Sequence, residues 1–297
     1  MPSSVTEGAE RWIRAGEKKI PFGSRALVMG VLNVTPDSFS DGGQFLDPHF
    51  AIDQAQKMVA DGVDIIDVGA ESTRPGSHTI EVEEELRRLR PVLQVLGKQC
   101  SVPISVDTRK AEVAKRALDW GVHLVNDVSA LRFDMDLGHL VANTRAGIVL
   151  MHMKGDPETM QDHCQYDNVV DEVKTFLQDR IEIAESYGID REQIVIDPGI
   201  GFAKNTEQNL SLLRGLTAFK SLGQPVLVGV SRKSFIGAVL NKPVGKRIMG
   251  TAAAVTMAVL HGAKIVRVHD VEHMKDVVTM VSAIQGAQES EQTKESS

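Results

Sequence analysis

Eight short runs rich in β-branched residues recur along this chain, separated by stretches with helical spacing. The runs are ALVMGVLNV (26–34), DIIDVGA (64–70), PISVDT (103–108), LVNDVSA (124–130), GIVLMHM (147–153), IVIDPGI (194–200), PVLVGVS (225–231) and KIVRVHD (264–270). Each stays apolar almost to its last residues, the pattern of strands covered on both faces in a parallel sheet. Between the second and third runs Val82, Leu86, Leu89, Leu93 and Leu96 recur at spacings of three and four, with Val92 widening the stripe. Residues 169–187 repeat the pattern with Val173, Phe176, Leu177, Ile181 and Ala184. Gly62, Gly121, Gly188, Gly223 and Gly262 each follow such a stretch, where a helix C-cap is needed.

Eight alternations predict a (β/α)8 TIM barrel in a single domain. The runner-up is an open doubly wound sheet, whose two halves need only about six strands. That sheet's nucleotide-binding versions lack support, since no GxGxxG follows the first run and no GxxxxGK[ST] occurs. With 297 residues, 42% of them hydrophobic, the chain can bury one large core. Residues 1–24 precede the first run and are expected to cap the bottom of a barrel spanning 25–286, and the polar tail 287–297 is expected to fray.

The charge balance, 33 basic against 40 acidic residues for a net −7, speaks against nucleic acid as a partner. Cys100 and Cys164 lie far apart without CxxC spacing, which suggests neither a zinc site nor a disulfide and fits a reducing compartment. No signal-like segment opens the chain and no apolar stretch approaches a membrane span, so a cytoplasmic protein without a membrane partner is expected.

Barrel enzymes draw their chemistry from strand ends and the loops that follow. Here every run ends in polar groups: Asn33; Glu71, Thr73 and Arg74; Asp107; Asn126 and Asp127; His152; Asp197; Ser231, Arg232 and Lys233; Arg267 and His269. Any one of them reads equally well as a helix cap or a solvated loop residue, and for Asp127 a helix cap or a pairing with a nearby Arg is the better reading. Eight together favour a catalytic mouth. Loops 35–47 and 71–78 read as lids over it, whereas 154–167 reads equally well as a surface insertion. Carboxylates at the ends of buried strands need donors, so Asp107 and Asp197 with Asn126 suit a cyclic amide or amidine edge, the alternative being caps or partners of nearby arginines. Arg74, Lys233, Arg267 and His269 imply an anionic substrate group, with Lys233 also open to a Schiff-base role. A small, flat, anionic substrate is expected.

NVTPDSFSDGG, ESTRPGS, SVDT, ND, DPGIGFAK, SRKSF and RVHD, in this order at or after seven of the runs, resemble dihydropteroate synthase over nearly the whole chain. The resemblance implies condensation of (7,8-dihydropterin-6-yl)methyl diphosphate with 4-aminobenzoate to 7,8-dihydropteroate and diphosphate, in folate biosynthesis. It implies catalytic roles for Lys233, Arg267 and Asp107. Pterin diphosphate would be bound by these three with Thr73, Arg74, Asn126, Met151, Asp197, Val268 and His269. Phe39, Pro75, Phe202 and Ser234 would line the 4-aminobenzoate pocket. Asn33 would ligate Mg2+, with Asp41 assisting through water, and a homodimer would form through barrel helices away from the mouth. One alternative is a pterin-binding methyltransferase barrel presenting a methyl-folate to a corrinoid partner, which shares the edge readers but has no use for a diphosphate or benzoate site. A Schiff-base aldolase on Lys233 is a third reading.

Overall fold

The computed structural model describes residues 11–23, 25–35, 48–72, 76–156 and 158–295. Eight strands form one sheet: β3 (Leu27–Asn33), β4 (Ile65–Gly69), β5 (Ile104–Asp107), β6 (Leu124–Asp127), β7 (Gly147–Met151), β8 (Ile194–Asp197), β9 (Leu227–Gly229) and β10 (Ile265–Val268). Each falls within one of the runs read from the sequence. Their order is β8-β7-β6-β5-β4-β3-β10-β9, and every pairing is parallel. A parallel bridge between Ile196 and Val226 joins the two ends and closes the ring. Sequence neighbours are thus space neighbours throughout, which excludes the doubly wound order with its reversal point.

Helices cover the outside: α1 (Pro48–Ala60), α2 (Val82–Gln99), α3 (Ala111–Asp119), α4 (Asp136–Thr144), α5 (Val169–Ser186), α6 (Thr206–Arg214), α7 (Ser234–Leu240), α8 (Ile248–Leu260) and α9 (Val271–Glu295). The stripes on α2 and α5 face inward, with Leu89, Val92, Leu93, Val173, Leu177 and Ile181 fully buried against the outer faces of the strands. Asn168 caps α5 by accepting from the backbone N–H groups of Val170 and Asp171. Gly223, expected to close an α-helix, instead ends a 3-10 segment over Leu216–Leu222. Helix α9 carries its backbone into the polar tail.

The run at 26–34 is not the first strand of the chain. Ahead of it, β1 (Arg11–Ala15) and β2 (Lys18–Phe22) pair as an antiparallel hairpin. Its charged residues hide it in the sequence, because only alternate positions are buried. Those alternate side chains, Ile13, Ala15, Ile20 and Phe22, pack on Leu27, Met29, Ile65, Leu124, Val149, Val195, Leu227 and Ile265. The hairpin therefore plugs the barrel floor, held there by Gly16 N–H donating to Arg145 O at 2.8 Å and by an Arg14–Glu192 ion pair.

The floor determines what lies above it. Inward side chains recur every second residue along a strand. Two positions beyond Ile65, Leu124, Val195 and Ile265 stand Asp67, Asn126, Asp197 and Arg267. The barrel interior thus changes from wholly apolar to charged within one layer.

Replacing Ile13 by Ala should cost about 2 to 5 kcal/mol, because the site is fully buried and closed on all sides. Urea unfolding should show a lowered midpoint with an unchanged slope, and an unchanged midpoint would mean that the plug contributes nothing to the core.

Candidate active site

The charged layer is organised around Arg267. Its Nε donates to Asp67 Oδ2 at 2.6 Å and its Nη2 to Asp107 Oδ2 at 2.8 Å, so one guanidinium serves two interior carboxylates. Asn126 Nδ2 donates to the same Asp67 oxygen at 3.0 Å, which leaves the Asn126 carbonyl oxygen to accept from elsewhere. Burial raises the Asp107 pKa, Asp67, Glu85 and Glu71 push the same way, and Arg267 opposes them. Asp197 is raised by burial too, against the charge of Lys233 and a 2.7 Å hydrogen bond from Gly199 N–H.

Lys233 stands across from Asp197. Its ammonium donates to the Ile200 carbonyl and lies 4.7 Å from the centre of the Phe202 ring. Burial lowers its pKa to about 8, with Asp197 opposing. Ser234 follows as the first residue of α7. Met151 packs with Val128, Met153, Met160, Ala203 and Phe202, an apolar cluster beside the charged layer. His269 Nδ1 pairs with Ser231 Oγ at 3.0 Å. Asn33 ends β3, half-buried, with its side chain making no hydrogen bond among the described residues.

The loop after β8 owes its shape to Lys204, which is buried and donates to Gly199 O at 3.0 Å and Phe202 O at 2.8 Å while contacting His152 Nδ1 at 2.9 Å. Two glycines are required here. Gly199 has φ 68° and a Cβ there would lie 2.0 Å from His152 O; Gly201 has φ 86° and a Cβ would meet Lys233 at 2.8 Å. The loop thereby carries Phe202 to the rim.

Asp107, Asn126, Asp197 and Arg267 thus line the interior, with Met151, Phe202 and Lys233 beside it. Other strand-end groups point elsewhere. Asp127 alternates to the outer face and accepts from Ser129 N–H, Ser129 Oγ and Leu131 N–H, so it holds the turn after its strand and, contrary to a helix-cap reading, caps no helix. Arg232 is paired with Asp270. Glu71 turns to Lys110, which also holds Glu85. The Val268 side chain belongs to the outer core, so only its backbone can face the mouth. Phe39, Asp41, Thr73, Arg74 and Pro75 lie outside the described residues. Asp67 and Lys204 were missed in the sequence. A charge in the middle of DIIDVGA, where a doubly covered strand should be apolar, was the signal for Asp67.

The family of pterin binding enzymes matches residues 29–269. A dihydropteroate synthase from a Synechocystis species is 47% identical over 270 residues, 91% of this chain and 93% of that one. The solved dihydropteroate synthase of Xanthomonas albilineans with 4-aminobenzoic acid superposes with a TM-score of 0.87 at 42% identity, covering 93% of this chain and 99% of that one. The same enzyme in complex with 7,8-dihydropteroate gives 0.82 at 40% identity, over 92% and 98%. The chain belongs to the dihydropteroate synthase family. It is an enzyme, and the closed barrel is the one its dihydropteroate synthase relatives share.

His152 sits among cations in this synthase barrel: burial lowers its pKa to about 2, and Lys204, Arg132 and Lys154 act in the same direction. It should therefore stay neutral between about pH 8 and 5, a range in which an ordinary histidine titrates. The unfolded chain takes up this proton below about pH 6.5 and the folded one does not, so His152 makes stability fall as pH drops through that value. Imidazole NMR shifts should stay flat for His152 across this range, and a midpoint near 6.5 would contradict the packing described.

Proposed function

We propose that this chain joins (7,8-dihydropterin-6-yl)methyl diphosphate to 4-aminobenzoate, forming 7,8-dihydropteroate and diphosphate. The observation that carries the reading is the interior layer itself, in which Asp107, Asn126 and Asp197 offer acceptors to a flat N–H edge directly beneath Arg267 and Lys233. Relatives solved with 4-aminobenzoic acid and with 7,8-dihydropteroate support it.

Pterin N–H groups donate to Asp107 and Asp197, and the Asn126 oxygen accepts a further one. A ring donor at Asp107 displaces Arg267 Nη2, freeing that end of the guanidinium to lie against the ring and, with His269, to hold the diphosphate. Lys233 acts as a donor toward the ring carbonyl and not as a nucleophile, since the Ile200 carbonyl accepts from its ammonium and the charge of Asp197 favours the protonated form. The methylene C–O bond breaks early and its electron pair leaves with diphosphate. The electron-rich pterin supports the methylene cation, the aniline nitrogen forms the new C–N bond, and a proton leaves that nitrogen. The protein contributes charge stabilisation and exclusion of water. Phe202 and Ser234 line the 4-aminobenzoate side, joined in this reading by Phe39 and Pro75, with Thr73 and Arg74 near the diphosphate.

Mg2+ fits the donor set. Asn33 offers one neutral hard oxygen at a strand end, the kind of ligand taken by an ion that travels on phosphate oxygens and keeps its waters. Asn33 would hold it, and when bound it neutralises charge on the departing diphosphate.

We also propose a homodimer. Val239, Leu240, Val244, Met249, Met257 and Met280 are exposed on α7 to α9 and the turn between α7 and α8, with α8 packed against both α7 and α9. A second copy would cover them. No helix among the described residues is long and apolar enough to cross a membrane, and the two free cysteines agree with a cytoplasmic location.

Incubation with both substrates and Mg2+ should release 7,8-dihydropteroate and diphosphate in equal amounts, and diphosphate without dihydropteroate would refute the condensation. Asp197→Ala should weaken pterin binding by about 2 to 4 kcal/mol, roughly 30- to 900-fold. Pterin affinity should also fall as pH drops, starting above the ordinary carboxylate value of about 4, because Asp107 and Asp197 are raised and the neutral acids accept less well. Calorimetric titration checks both.

A further inference from the structure

Asp67 is wholly buried in the middle of β4, and no step of the reaction above uses it. A carboxylate in such a place is costly unless donors reach it. Two do, both on Oδ2: Arg267 Nε at 2.6 Å and Asn126 Nδ2 at 3.0 Å. Both donors belong to the layer assigned to the pterin. Neither bond is local, since 200 residues separate Asp67 from Arg267 and 59 separate it from Asn126.

The two ends of the Arg267 guanidinium differ in kind. Nη2 lies on Asp107, the last residue of its strand and a carboxylate that ring donors would claim. Nε lies on Asp67, which is two residues short of its own strand end and has no exposed surface. Substrate can therefore replace the first contact but not the second.

We infer that Asp67 is a positioning residue of the pterin site, anchoring Arg267 through Nε and Asn126 through Nδ2. Arg267 then turns about the Asp67 bond when the ring takes Asp107, so that its free end meets the ring and diphosphate without leaving the barrel. The same oxygen holds the Asn126 amide nitrogen inward, which presents its carbonyl oxygen to the ring. This inference rests on the reading of Asp107, Asn126 and Arg267 as pterin contacts.

The test is Asp67→Asn, which keeps the shape and removes the charged acceptor. The KM for pterin diphosphate should rise at least tenfold and kcat should fall, while the KM for 4-aminobenzoate at saturating pterin diphosphate should change less than twofold. The acid limb of kcat/KM for pterin diphosphate should also move to lower pH. Asp67 is one of the charges that raise Asp107, together with Glu85 and Glu71, and without it Arg267 opposes them with less competition. A purely structural Asp67 would lower the melting temperature and the active fraction but leave both KM values and the acid limb in place, and that result overturns the inference. Asp67→Glu keeps the charge while displacing it, and should raise the same KM; it serves as the readout if Asp67→Asn does not fold. Failure of both variants to fold assigns Asp67 to the fold and likewise overturns the proposal. Wild-type protein that does not turn over pterin diphosphate would instead sink the underlying reading, so the two failures are distinct.

Discussion

A carboxylate inside a closed barrel must be paired, and the arrangement of this molecule follows from how that demand is met. Three interior aspartates, Asp67, Asp107 and Asp197, are almost or wholly buried. Desolvation of each costs several kcal/mol unless donors compensate. Arg267 spans the first two, Lys233 stands by the third, and Asn126 completes the set. The layer is thus held together by the same groups that the proposed reading assigns to the pterin. In the proposed reading, binding would exchange one donor for another without creating a new charged surface, which would keep the reorganisation small.

Such a layer needs a dry, rigid base and a defined rim. The hairpin provides the base by filling the bottom of the ring with Ile13, Ile20 and Phe22. At the rim, two lysines act as clamps. Lys110 Nζ donates to Glu71 Oε2 and Ile80 O, each at 2.6 Å, and so joins the two ends of the segment after β4. Lys204 does the same for the turn after β8 by gathering the carbonyls of Gly199 and Phe202. In the proposed reading pterin recognition therefore rests on strand residues, while Phe202 is presented by a turn whose carbonyls Lys204 gathers.

The eight strands were legible because a doubly covered parallel strand must be apolar along its length, and little else produces eight such runs. The hairpin was not, since a one-sided strand of five residues with charges between its apolar positions resembles a loop. Strand ends pointed to Asp107, Asn126, Asp197 and Arg267, which the fold brings together in the barrel interior, but an end position does not say which face a side chain takes. Asn126 turns inward and its neighbour Asp127 outward, by the alternation alone. Arg232 is spoken for by Asp270, a partner 38 residues away that the sequence does not announce. Asp67 escaped notice because attention to strand ends passes over the strand interior, although a lone charge within DIIDVGA was the clearest breach of the pattern.

A crystal structure with pterin bound tests the proposed arrangement most directly. It predicts the ring edge on Asp107, Asn126 and Asp197, with Arg267 Nη2 withdrawn from Asp107 while Nε remains on Asp67. A ring seated elsewhere in the mouth, with Arg267 still bridging both carboxylates, would contradict it.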